Sequence, residues 1–361
     1  MLPYPGEKEF RFEMVHLVFA IALIFSAKFL NDRKVPFYIL SFLTLFLFSA
    51  LRYGYGNDYW SYYEGFQSIK LGLPAPVGED ILYKYLNLAM PNFNSLIVFI
   101  SAFYVIVIYF LIKNNLKKGD YWLAIFILII NPYLFLIHLS ALRQVLAILF
   151  FVLAVKFLIS RNPIPYFALI LISSLFHKSA IVLLPIYFVV NTKEISKSFI
   201  VLYTIVLYFL VFSPFFNNLL LKILSLDFFP SKYMYYYNQG LRNSLRATLI
   251  SSYFYFLLAF NIKKFNYENI VYAKLSLIGI SFNLLAYQIA MLTRIQMYFD
   301  VFFIISFPII FSNMKNKFYK YFFLIVFIMI YILRYYSFFT NPLWESFWHY
   351  QTILSAPIYK L

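Results

Sequence analysis

From Met14 to the end of the chain, apolar runs recur at short intervals, parted by links of a few charged residues. A helix that crosses about 30 Å of hydrocarbon needs some 20 mostly apolar residues. Within lipid every backbone polar group must be satisfied inside the protein, so repeated runs of this kind are confined to helices. Only 12% of the 361 residues are charged, against about 25% in an ordinary soluble domain. The expected fold class is therefore an all-α polytopic integral membrane protein, a single transmembrane domain over residues 1–361.

The runs predict about twelve spans. They are Met14 to Leu30, Pro36 to Leu51, Ser95 to Ile112, Tyr121 to Ile137, Ala141 to Ile159 and Tyr166 to Phe176. Ser179 to Val190, Phe199 to Ser213, Leu249 to Ile262, Ile270 to Tyr287, Gln296 to Phe311 and Tyr319 to Leu333 complete the set. Two of these, Tyr166 to Phe176 and Ser179 to Val190, are too short to cross upright, and a short or re-entrant hairpin accommodates them. Its turn carries His177 and Lys178.

A formal charge of +16 in a soluble chain would point to nucleic acid. Here lysines gather in alternate short links such as N-D-R-K, K-N-N-L-K-K-G-D, N-T-K-E-I-S-K and N-M-K-N-K-F-Y-K, so the charge reads chiefly as an orientation signal. Those links belong to the cytoplasmic side. The remaining links then face outward, including the long loops 52–94 and 214–248. The N-terminal M-L-P-Y-P-G-E-K-E-F-R-F-E lacks the pattern of a cleaved signal peptide, so the first helix is expected to stay. The chain has no cysteine, which excludes disulfides and thiolate metal sites.

Arginines divide differently from lysines. Residues 52, 143, 242, 246, 294 and 334 fall on the outward side, where orientation alone would not put them. Guanidinium groups hold phosphate oxygens bidentately and stay charged where hydration is poor. Arg143, Lys178 and Arg294 stand at expected helix starts, against the positive end of the helix dipole. A phosphate between helix end and cation removes that conflict, and snorkelling to lipid headgroups is the alternative. With Arg52, these residues form the candidate pyrophosphate-binding set: Arg52, Arg143, Lys178 and Arg294.

The stretch R-Y-G-Y-G-N-D-Y-W-S-Y-Y, Arg52 to Tyr63, concentrates a cation, two glycines, a carboxylate and aromatic rings where a span would leave lipid. Asp58 is the candidate general base, its alternative being a helix N-cap or turn residue; His177 is held in reserve for the same role, and His138 is a further possible base or donor. Asp300, about one turn inside the membrane, is either functional or paired for structure. The aromatic clusters at 59–63 and 233–237 suit stacking on sugar rings and equally suit anchoring at the headgroups. No histidine cluster has metal-ligand spacing and no D-x-D motif occurs, so metal-independent chemistry without a cofactor is expected.

Four pieces in order resemble the EpsG family of bacterial polysaccharide polymerases, relatives of the Wzy O-antigen polymerase: Arg52 to Tyr63, L-S-A-L-R-Q-V-L-A from Leu139, L-F-H-K-S-A from Leu175 and T-R-I-Q-M-Y-F from Thr293. The resemblance implies an inner-membrane enzyme with a GT-C-like helical architecture that works on its periplasmic face. It also implies transfer of a growing glycan from undecaprenyl pyrophosphate to the non-reducing end of a new undecaprenyl-pyrophosphate-linked repeat unit. A flippase for those units and a chain-length regulator are the implied partners, beside membrane lipid. The R-x10-G motif of some O-antigen polymerases is absent, because Ala154 stands eleven residues after Arg143. A lipid-linked oligosaccharide flippase or exporter is the competing reading, with charges expected at mid-helix and repeats between halves. An O-acyltransferase or a membrane scaffold fits the outward cations less well.

Overall fold

The computed structural model describes residues 15–29, 37–75, 80–191, 196–225 and 242–355, together with 234, 237 and 238. Expectations for the links around 31–34 and 192–195, and for Glu79, Asp227, Tyr233, Tyr235 and Tyr236, lie outside these residues. The described chain is almost wholly helical, as its apolar runs require. A helix occupies each of the twelve apolar stretches. Length separates them, however. Four are long and apolar enough to cross a membrane unaided, or six if each of two bent pairs is one span.

The chain divides into two compact units. The first comprises Met1–Phe110, Lys117–Leu146 and Ile325–Leu361. Its main helices are α1 (Val15–Phe29), α2 (Phe37–Ala50), α3 (Tyr59–Lys70), α4 (Ile81–Ala89) and the first part of α5 (Phe93–Asn115). It also holds α6 (Tyr121–Ile130) and α7 (Leu136–Ser140). Helix α1 packs on α2 and α6, and His16 inside it stacks on Tyr335 and accepts or donates a 2.8 Å hydrogen bond to that phenol. The expected outward loop 52–94 is thus folded: α3 and α4 pack on each other, with Tyr59, Tyr62, Phe66, Ile69 and Tyr83 buried.

Two short strands, β1 (Arg52–Tyr53) and β2 (Gln351–Thr352), pair antiparallel, with Arg52 opposite Thr352. This fastens the chain end over the turn that follows α2. The Ile353 amide donates to Leu51, the Gly56 amide to Ser346, and the Asn57 side chain to Leu343. Tyr350 stacks on Phe48 at 4.3 Å and donates its hydroxyl to the Phe48 carbonyl. An aromatic pair of this kind adds about 0.5–1.5 kcal/mol beyond the area buried.

The second unit comprises Leu111–Leu116 and Ala147–Leu324. It contains most of α8 (Leu142–Ile159), α9 (Pro163–Phe176), α10 (Ile186–Val190), α11 (Lys197–Phe212) and α12 (Pro214–Leu224). The series continues with α13 (Leu245–Asn261), α14 (Ile270–Leu285), α15 (Leu292–Asp300), α16 (Phe303–Ser312) and the start of α17 (Lys317–Phe339). Helices α14 and α15 approach so closely that a Cβ on Gly279 would lie 2.6 Å from that of Phe299. Tyr203 donates to Ser281, and Thr204 pairs with Tyr255, so α11 is tied to α14 and α13 by hydroxyls, as membrane helices commonly are.

Helix α9 ends at His177, whose backbone turns extended, and Lys178–Leu183 continue as a 3-10 helix. Tyr166 reaches back to the Leu183 carbonyl at 2.7 Å and its ring meets Tyr187, so the two segments run against each other as a hairpin. Helices α11 and α12 bend by 76° at Ser213–Pro214, where proline forces its predecessor out of helical geometry. Helices α15 and α16 bend by 56° just after Asp300.

Candidate active site

In the first unit, the turn 54–57 is shaped by its glycines. Gly54 and Gly56 have φ of +63° and +114°, which side chains disfavour, and a Cβ on Gly56 would lie 2.7 Å from the Ser140 hydroxyl. The turn delivers Asp58 to the N-cap position of α3. Its carboxylate makes no capping hydrogen bond and is exposed, and the residue itself stands in the turn that leads into α3.

Arg52 is only 2% exposed. Its guanidinium donates to the Ser49 carbonyl at 2.5 Å and the Leu139 carbonyl at 3.1 Å, with Ser101 at a long 3.5 Å. Those carbonyls lie at the ends of α2 and α7, where a cation meets the negative end of a helix dipole. Burial pulls its pKa down to about 10, which leaves it charged at neutral pH. Arg52 was expected among the phosphate-binding cations; two of its nitrogens donate to backbone carbonyls, while its buried Nε has no partner among the described residues. Beside it, Tyr104 and His138 close a small polar cavity, and neither His138 nitrogen has a hydrogen-bond partner among the described residues.

Arg143, the second residue of α8, donates to Asp80 at 2.6 Å, with side-chain exposures of 25% and 5%. The charge that answers the cation at this helix start is thus a carboxylate of the chain itself. Asp80 occupies the N-cap position of α4 but makes no side-chain cap bond there. The Arg143 guanidinium also lies close enough to the Tyr62 phenol for each to shift the other's titration. Burial pushes the Tyr62 phenol up, against the pull of the Arg143 cation, so it stays neutral. Burial raises Tyr83 well above the ordinary range too, and its ring meets Tyr62 edge-on at 5.8 Å. Asp80 and Tyr83 were not read as site residues from the sequence, and Tyr62 was read only as part of the aromatic cluster at 59–63. Asp80 lies 63 positions before Arg143, and nothing local in either stretch marks the pairing.

In the second unit, Lys178 opens the 3-10 helix, exposed, and His177 is half-buried beside it. Ser179 and Tyr298 pair through their hydroxyls at 2.9 Å, which docks this turn on α15. Arg294, also exposed, precedes Tyr298 by one turn, so it shares the helix face that meets the hairpin. Lys178 thus adjoins the residue that touches α15, and Arg294 lies one turn before the residue it touches. Below them a chain of amides runs inward: Asn283 donates to Gln296 at 2.6 Å, and Gln296 to Asp300 at 2.7 Å. Asp300 is 3% exposed and receives this donor from its own helix. Among the described residues, no group of three or more His, Cys, Asp or Glu is disposed to hold a metal ion.

A multi-pass helical membrane protein with cations at helix starts is the class these features define. The EpsG family model matches residues 35–352, and the chain belongs to the EpsG family, a Wzy-type polymerase-like family. No curated protein and no solved structure matches it.

Proposed function

We propose that the protein is a polysaccharide polymerase of the bacterial inner membrane. It transfers a growing glycan from undecaprenyl pyrophosphate to the non-reducing end of a new undecaprenyl-pyrophosphate-linked repeat unit, without metal, on the periplasmic face. Family membership over most of the chain carries this reading. The architecture proposed with it is GT-C-like, with about twelve crossing segments, the short helices crossing obliquely or as hairpins.

The reaction forms a bond between an acceptor hydroxyl oxygen and the anomeric carbon of the donor sugar. It breaks the bond from that carbon to the pyrophosphate oxygen. The hydroxyl needs a base and the leaving pyrophosphate needs cations. Asp58, exposed and uncapped at the start of α3, is the proposed base, with His177 in reserve. Arg143, held by Asp80 and close to Tyr62, is the proposed phosphate contact of the first unit. Lys178 and Arg294 take that role in the second. Both substrates of such a transfer carry a lipid pyrophosphate, and each unit offers a candidate cation for one, Arg143 in the first and Lys178 or Arg294 in the second. Arg52 is assigned as a positioning residue, because its guanidinium fixes the ends of α2 and α7.

The broken spans favour one second reading. Discontinuous helices with an acid at the break, as at Asp300, also serve transporters, so a flippase for lipid-linked oligosaccharide is the alternative. Deleting the protein in its host and displaying the glycans by length separates the two. Loss of a polymerase leaves single repeat units exposed outside, and re-expression restores long chains. Lipid-linked units stranded on the cytoplasmic face would instead support the flippase.

A further inference from the structure

The polar turn after α2 continues into a second feature that the transfer chemistry does not use. Along α3, Trp60, Tyr63 and Gln67 fall on one stripe, while Tyr62, Phe66 and Ile69 face the interior. The exposed stripe and the start of α5 enclose a pocket of about 130 Å³ lined by Tyr53, Trp60, Tyr63, Gln67, Asn92 and Asn94. That is small beside the ~300–1,000 Å³ of most ligand sites, so it suits one ring rather than a chain. It lies within the first unit.

Trp60 dominates the pocket and is 42% exposed. Tyr53, Tyr59 and Tyr63 meet it at 89°, 79° and 80°, so each contact is edge to face, and among the described ring contacts nothing stacks on it in parallel. Its ring rests against Gly54, where a Cβ would stand 3.4 Å from the indole. The indole is therefore braced by its neighbours with part of its surface left open. Around it stand three amide side chains, of which Asn92 spends its oxygen on capping α5 through Ser95 and keeps its NH2 group.

Flat apolar C–H surface on one side and hydroxyls at the rim are the chemistry of a pyranose. Such a ring stacks on an aromatic face while amides, which both donate and accept, bond its hydroxyls. An acyl chain would leave the three amides unsatisfied, and among the described residues no cation lines the pocket to hold a phosphate headgroup. We propose that this pocket is a subsite for one sugar ring of a glycan, with Trp60 as the stacking platform and Gln67 and Asn92 as hydroxyl partners. Tyr62, which reaches Arg143, leaves α3 on the opposite side from Trp60, so about one helix diameter, ~10 Å, separates the subsite from that cation. The subsite thus grips a sugar away from the reacting centre; this placement rests on the polymerase reading, whereas glycan binding itself does not.

The test uses the full chain in detergent and, as probe, the oligosaccharide freed by mild acid from the host's lipid-linked repeat units. Calorimetric titration is expected to give saturable binding to the wild type, weakened about tenfold in Trp60→Ala and held within about threefold in Trp60→Phe, which keeps a ring. Gln67→Ala, altering an exposed side chain, is expected to weaken binding several-fold without disturbing the fold. In the polymerisation assay, Trp60→Ala is expected to raise KM for the repeat unit and leave kcat within about threefold. No binding to the wild type, or equal binding to Trp60→Ala and Gln67→Ala, overturns the subsite. Weaker partition of Trp60→Ala into vesicles with unchanged glycan affinity overturns it in favour of a headgroup anchor. Wild-type chain growth with a Trp60-independent KM removes the subsite and leaves the polymerase; Trp60-dependent binding without chain growth does the reverse.

Discussion

Arg143 and Asp80, 63 residues apart in sequence, meet at 2.6 Å where α8 begins. The arginine stands against the positive end of a helix and is tolerated there because a carboxylate faces it. The pair is part-exposed, so the ~3–5 kcal/mol lost on breaking a buried pair is discounted here to about 1–2 kcal/mol. Asp80→Asn should lower thermal stability by that amount and cut chain lengthening more than tenfold. The exchange Asp80→Arg with Arg143→Asp should recover stability without activity, since it moves the cation away from the proposed phosphate position. Recovery of both would make the pair purely structural.

Arg143→Ala and Asp58→Asn should each abolish chain lengthening while leaving membrane insertion intact. Loss of a general base is worth about 10²–10⁴ in rate. The two variants should therefore differ in substrate dependence: Arg143→Ala also loses affinity for the lipid pyrophosphate, whereas Asp58→Asn loses rate alone. Normal long chains from either variant would reject its assigned role.

Arg52 yields a prediction with a pH signature. Its folded pKa of about 10 lies below its ordinary value, so the folded and unfolded chains hold the same proton below pH 10. Stability rises with pH only above that point, and between pH 6 and 9 Arg52 contributes no slope. In Arg52→Lys the buried amine loses more, because a lysine in such a site shifts by up to about 3–5 units. Its thermal midpoint should climb as pH rises from 6 to 9, where the unfolded chain still holds the proton. A flat profile in that variant would show that the site is hydrated.

Gly56→Ala meets two penalties, a φ of +114° and a contact with the Ser140 hydroxyl at 2.7 Å. The cost should be about 1–3 kcal/mol. Adding Ser140→Gly removes the contact and leaves the strain, so the double variant should recover part of the loss. Melting temperatures of the two proteins decide this.

Much of this molecule is legible from spacing alone. Apolar runs mark a helix at each expected stretch, and Pro214 announces the 76° bend before it. The 56° break after Asp300 carries no such mark: neither proline nor glycine stands at Val301–Phe302, and the turn arises from three-residue hydrogen bonds such as Phe302 to Phe299. The loop 52–94 was read as a connection because its aromatic and charged residues break the lipid-spanning pattern. Tyr62, Phe66 and Ile69 nevertheless recur at helical spacing and bury one face of α3. Asp58 and the glycine turn were visible locally. The Asp80 partner of Arg143 was not, because long-range pairing leaves no trace in either segment. Arg52 looked like a free cation for the same reason: the carbonyls that hold it belong to backbone, which no residue type reveals.

The most direct measurement places purified protein in proteoliposomes with undecaprenyl-pyrophosphate-linked repeat units and a metal chelator, and resolves the products by length. The account predicts a ladder of chains that the chelator does not suppress. Repeat units that move between leaflets yet never lengthen would contradict it.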